Sequence, residues 1–370
     1  LCLDYPTAVS IVAANVAKQD PELAALLCGV LEKCSGCPEQ KEVLGAEEGF
    51  YITALVNVAY SGLCDDVDGA MRLTIATTVA NLAECMTNQM VFAAEGLNLL
   101  PVLAYFCHTA PAESSIRVAV TAALHYLALF PPNIITLGST ELHFVELLVG
   151  ILANEVRNEL AVVNALSVLC QLAADTTNRE VLSDSELGLL PLLVCELRGK
   201  DSKSKIYACA ILSYAAAVPA NHVLMAELDF GLLTELVQLL LTCTNKMAEY
   251  SCSILRSLSA DEGNRYSMAQ DRLGLLPALV TVVGNDSAHP RARANACATV
   301  CNLAVPPVNR HKMADPALGL LRALISVVRT DLGEALVNAT AALSYLALAP
   351  ENISLLMSPE FNIIETLKAV

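Results

Sequence analysis

A chain of 370 residues with 38 acidic and 22 basic side chains has a formal charge of −16, which argues against a nucleic-acid partner, where a basic face should dominate. Hydrophobic residues make up 55% and aromatic ones 5%, a mixture that packs helices through small and branched side chains and does not suit a sheet protein. The 14 cysteines are scattered among Ala and Leu, as at Cys170, Cys209, Cys252, Cys297 and Cys301, and read as small buried residues in a reducing, intracellular and cytoplasmic setting rather than a disulfide framework.

The chain starts at Leu1 without an initiator Met, so a segment of a longer protein is expected. Residues 23–34 have the pattern of a long apolar helix. Cys34-Ser35-Gly36-Cys37-Pro38 follows. A C-x-x-C turn can supply half a zinc site or a redox dithiol. Here no second pair exists, only Cys28 lies near, and the turn falls at a helix end, so packing is expected and neither metal nor cofactor. Gly49 with residues 50–60 forms a first corner-plus-helix piece.

From there the chain repeats. An asparagine returns at Asn88, Asn133, Asn178, Asn221, Asn264, Asn309 and Asn352, at steps of 43 or 45 residues. Each is read as a helix N-cap whose side chain accepts a backbone N–H. Ten residues later stand His143, Gly188, Gly231, Gly274, Gly319 and Asn362, with Gly96 slightly early after Asn88. Gly and Asn tolerate the left-handed backbone of a tight corner, and His143 is the member least suited to it. Prolines stop the helix before the asparagine at Pro131 and Pro132, Pro219, Pro306 and Pro307, and Pro350.

The unit is clearest over residues 164–198. Leu166, Leu169 and Leu172 mark one helical stripe, Asn178 opens a short helix, Gly188 turns the chain, and Leu189-Leu190-Pro191 starts the next helix. Residues 118–140 and 206–226 are uncharged and long enough to span a bilayer, yet Pro131-Pro132 and Pro219 cut both in register with the repeat, so no membrane span is expected. The last unit ends inside its second helix. The expectation is an all-α solenoid over residues 1–370, about eight three-helix units, the first degenerate and the last truncated.

Enzymatic motifs are missing. There is no G-x-S-x-G, no phosphate loop beyond Gly199-Lys200 followed by Asp201, and no H-E-x-x-H. Six histidines share no ligand spacing, and His125 reads as a core or groove residue. The chain is expected not to be an enzyme.

The long third helix of each unit carries two polar columns. One holds Asn81, Tyr126, Gln171, Tyr214, Ser257, Asn302 and Tyr345. Seven residues earlier lie Thr74, Ala119, Asn164, Tyr207, Tyr250, Asn295 and Asn338. Stacked helices turn them into two ladders on one surface. Amides and phenols at regular intervals can hydrogen-bond the backbone of an extended peptide, or tie neighbouring units together. Asn81, Tyr126, Asn164, Gln171, Tyr207, Tyr214, Tyr250, Asn295, Asn302, Asn338 and Tyr345 are the candidate groove residues.

With its capping Asn, its Gly-Leu-Leu-Pro corner and a ladder residue before Leu-Ala, the unit resembles the armadillo repeat of beta-catenin and importin-alpha over essentially the whole chain. The resemblance implies a right-handed α-solenoid (superhelix) whose third helices line a groove for protein partners. Asn81 in VANLAE and Asn302 in VCNLAV match the family's groove asparagine, whereas Tyr126, Gln171, Tyr214, Ser257 and Tyr345 depart from it. The importin groove tryptophans are absent: Thr77, Ala122, Ser167, Ala210, Ser253, Ala298 and Ala341 stand there, which argues against a nuclear-import receptor.

Residues 1–186 hold 22 acidic and 7 basic side chains, and residues 187–370 hold 16 and 15. A scaffold binding an extended, partly basic protein segment is therefore the leading expectation. The alternatives are a structural component of a large assembly, such as the cytoskeleton of a ciliary axoneme, and a chaperone nucleotide-exchange factor.

Overall fold

The computed structural model describes residues 21–46, 50–60, 69–154, 158–243 and 246–368; Gly49, read as an early corner, lies outside them. Every regular element among the described residues is helical. Contacts gather into two compact units, Leu1–Leu189 and Leu190–Val370. In the first, the long helices Pro21–Ser35, Ala70–Ala83, Ser115–Ala128 and Glu159–Ala174 pack each on the next. In the second, Ser202–Ala215, Lys246–Ala260, Pro290–Ala304 and Glu334–Ala347 do the same. Between successive long helices come a short helix, a turn and a middle helix.

Local chemistry explains each boundary. Asn158 accepts the Ala161 N–H at the start of Glu159–Ala174, and Asp175 accepts the Thr177 N–H of the next short helix, each supplying an acceptor for an otherwise orphaned donor. Asp201 does the same for the Ser204 N–H. The long helices end before Pro131, Pro219, Pro306 and Pro350, where the ring would clash with the preceding turn. The uncharged stretch at 206–226 is two helices, Ser202–Ala215 and Pro219–Ala226, bent by 110°. No single described helix is long and apolar enough to cross a membrane.

The long helices bury residues almost all round: Ala161, Ala165, Leu166, Leu169, Leu172 and Ala173 in one of them are at most 2% exposed. Small residues let the helix axes approach to about 8–10 Å, and each buried Leu contributes about 1.5–3 kcal/mol.

The asparagine column works in the opposite sense to an N-cap. Its members are buried and donate. Asn88, Asn133, Asn178, Asn221, Asn264, Asn309 and Asn352 each give an Nδ2 hydrogen to the carbonyl six residues earlier, at the end of the preceding long helix. Five of them give a second hydrogen to a short helix one unit back; Asn309, for example, reaches the Arg265 carbonyl at 3.1 Å. The residue after the asparagine often helps. Arg265 donates to the carbonyls of Ser259 and Ala260, and Arg310 to those of Ala304 and Val305. A cation there also suits the negative end of the helix dipole.

The corner column is more regular than expected. Left-handed backbone falls ten residues after every asparagine: at Asn98 (φ 54°), His143 (52°), Gly188 (68°), Gly231 (82°), Gly274 (70°), Gly319 (75°) and Asn362 (42°). Asn98, not Gly96, turns the chain after Asn88, because an Asn can adopt this conformation through local hydrogen bonding. His143 takes it as well.

Candidate inner-face binding site

In the second unit, Tyr207 and Tyr214 lie on Ser202–Ala215, Tyr250 on Lys246–Ala260, Asn295 and Asn302 on Pro290–Ala304, and Asn338 and Tyr345 on Glu334–Ala347. All seven are half-buried. A spacing of seven residues is two turns, so each pair shares a helix face. The Arg256 guanidinium donates to Asn295 Oδ1 at 3.0 Å and reaches Glu334 Oε2 at 3.5 Å. Arg256 and Glu334 stand two long helices apart, about 16–20 Å between axes if the stack were straight. Their contact passes over Asn295, on the side of the stack that carries the ladder.

Part of the ladder ties one helix to its neighbour. Asn302 donates to Ser259 Oγ at 3.1 Å and Asn338 to the Ala294 carbonyl at 3.5 Å. An amide has two N–H donors and an acceptor oxygen, so one such tie leaves capacity for a peptide backbone. Lys246 Nζ sits 6.0 Å from the centre of the Tyr250 ring.

The first unit repeats the arrangement with Asn81, Tyr126, Asn164 and Gln171, again half-buried. Asn81 donates to Ser35 Oγ at 3.1 Å and Asn164 to Thr121 Oγ1 at 3.5 Å. The Tyr126 hydroxyl donates to Glu84 Oε1 at 3.2 Å; burial first, then the Glu84 charge and that bond, push its pKa up. Lys41 pairs with the same carboxylate. His125 bonds Ser167 Oγ at 2.8 Å through Nδ1, and burial lowers its pKa, which fits a packed residue. A cavity of about 930 Å³ opens between the middle helices Leu99–Thr109 and Phe144–Asn154, walled by Tyr105, His108, His143 and Glu146; it includes no ladder residue.

A row of charges went unread in the sequence. Four residues before the second ladder column stand Lys203, Lys246, Arg291 and Glu334. Lys246 and Arg291 share the buried Glu249 carboxylate, at 3.0 and 3.7 Å. The spacing could have shown it, had charged positions been aligned as the amides and phenols were. Among the described residues, no three His, Cys, Asp or Glu side chains gather as a metal site, and Cys34 and Cys37 are both free thiols at the end of the first long helix.

No protein-family model matches the sequence, and no curated protein matches it. Solved structures do. A chain from work on a phosphorylation switch in the interaction between cadherin and beta-catenin superposes with a TM-score of 0.77 at 17% identity, over 93% of this chain and 61% of that one. A designed armadillo repeat protein matches at 0.56 and 22%, over 67% of this chain and 99% of its own. A second design, in complex with the peptide (KR)4, matches at 0.54 and 19%, over 67% and 99%. The fold is the armadillo repeat. The long helices are then the third helices of armadillo units, the short and middle ones the first and second, and the asparagine column ties each of its first helices to the third helix of the unit before it.

Proposed function

We propose that this armadillo chain is a non-enzymatic scaffold whose inner face holds an extended segment of a partner protein by its backbone. The observation that carries the reading is the ladder of half-buried amides and phenols on one face of the third helices of the second unit, the face that the Arg256–Glu334 contact crosses. The designed armadillo protein seen with (KR)4 supports a basic stretch in the partner, as does the acid excess of residues 1–186, to which Glu84 beside Tyr126 belongs. Buried, protonated thiols support an intracellular location, and the unbroken asparagine period supports a single armadillo array. A place in a larger assembly has its own support: Val223, Tyr266 and Val308 stand exposed on successive first helices.

The test is selection from a library of random 12-residue peptides against the whole chain, followed by affinity measurements on Tyr207→Ala/Tyr214→Ala/Tyr250→Ala. The apolar stripe behind these residues is untouched, so melting should be preserved. Selected peptides should bind at least about tenfold more weakly, or about 1.4 kcal/mol. Peptides held equally by both proteins would place binding elsewhere.

A further inference from the structure

The row of charges on the ladder face of the second unit points to the chemistry of what lies there. Lys203, Lys246 and Arg291 occupy one position on three consecutive third helices, four residues before Tyr207, Tyr250 and Asn295. Lys203 and Arg291 are exposed, and Lys246 is 61% exposed at its side chain. The carboxylate nearest the middle of the row, Glu249, is shared by Lys246, Arg291 and His289, so one buried charge faces two permanent cations. The fourth member of the row is Glu334. It extends to Arg256 across Asn295, the position that a bound backbone would cross. Asp286 and Asp331 are engaged by the buried Arg293 at 2.9 and 2.8 Å, and Asp201, two residues from Lys203, accepts the Ser204 N–H as the cap of that helix.

We infer that the inner face of the second unit takes an acidic extended peptide, with Lys203, Lys246 and Arg291 as counter-charges and Glu334 as an internal carboxylate that the peptide displaces from Arg256. This rests on the groove reading above and specifies the partner's chemistry there. The geometry sets a period as well. Third helices stacked about 10 Å apart meet every third residue of a strand that rises about 3.3 Å per residue. An acid at every third position should fit, and Asp or Glu side chains are the source of the charge.

The probe is a nine-residue peptide of repeated Glu-Ser-Ser, compared with repeated Lys-Ser-Ser and with a single-stranded oligonucleotide, on the whole chain at low and high salt. Glu-Ser-Ser should bind best and weaken as salt rises. Glu334→Gln should tighten it by about two- to fivefold, the factor an exposed ion pair represents. Lys203→Gln/Arg291→Gln should weaken it at least about tenfold; Lys246 stays on Glu249, so the fold is retained. Equal binding of the acidic and basic peptides, preference for the oligonucleotide, or an affinity unmoved by Glu334→Gln would overturn the inference. Library-selected peptides that depend on the tyrosines but not on Lys203 and Arg291 would overturn it while leaving the scaffold reading intact.

Discussion

Asn309 has no exposed surface, and both its Nδ2 hydrogens are used, on the Leu303 carbonyl at 2.9 Å and the Arg265 carbonyl at 3.1 Å. Removing it leaves two buried acceptors without donors. Each costs about 1–3 kcal/mol, so Asn309→Ala should lower stability by about 2–4 kcal/mol in urea melts. Asn309→Asp keeps the shape but turns a donor into a buried carboxylate facing two carbonyls, and should cost at least as much. If Asp were tolerated better than Ala, the column would be a space-filler. The period of this column was legible in the sequence, since seven asparagines at one spacing need a common cause. Its direction was not: an amide both donates and accepts, and an asparagine early in a helix is read as an acceptor by default. His143 was misjudged for a related reason. The left-handed corner is imposed by the helices on either side, and the residue there conforms.

At the scale of the element, the third helices explain the cysteines. Cys209, Cys252 and Cys297 sit inside them at 0% exposure, and burial pushes all three thiols up to about 12 from 9.0. Below pH 9 the thiols are neutral folded or unfolded, and they do not make stability depend on pH. Between about pH 9 and 12 the unfolded chain ionises first and binds fewer protons, so stability falls as pH rises. Two measurements check this. Cys195, which is exposed on the second helix Leu189–Arg198, should react with a disulfide reagent at pH 8 while the three buried thiols react only in denaturant. Alkaline melts should decline above pH 9, and less so when the three are replaced by Ala or Val. The long helices and their punctuating prolines were readable from composition and period. Which residue of the second helix faces water was not, because that depends on the neighbouring unit.

For the array as a whole, the register of the repeats was legible and the contacts that skip a helix were not. Tyr207, Tyr250 and Asn295 fall in register because the period is constant, whereas the Arg256–Glu334 contact joins residues 78 apart on long helices that are not neighbours in the stack. A local pattern cannot encode that. Such contacts depend on small rotations between neighbours, and each third helix packs chiefly on the helices beside it. Stability in such an array is close to a sum of nearest-neighbour terms, which makes a testable pattern. Asn309→Ala loosens the joint between the first helix Pro307–Met313, the third helix Pro290–Ala304 and the first helix Asn264–Met268 one unit back, the last two of which supply its acceptors. Amide hydrogen exchange should accelerate most in those three helices and less with each unit further away. Protection in Ala70–Ala83 and Ser115–Ala128 should stay at its wild-type level, since many joints intervene. A uniform loss of protection across the chain would instead mean that the whole solenoid opens as one cooperative block, and the nearest-neighbour account of its stability would have to be abandoned.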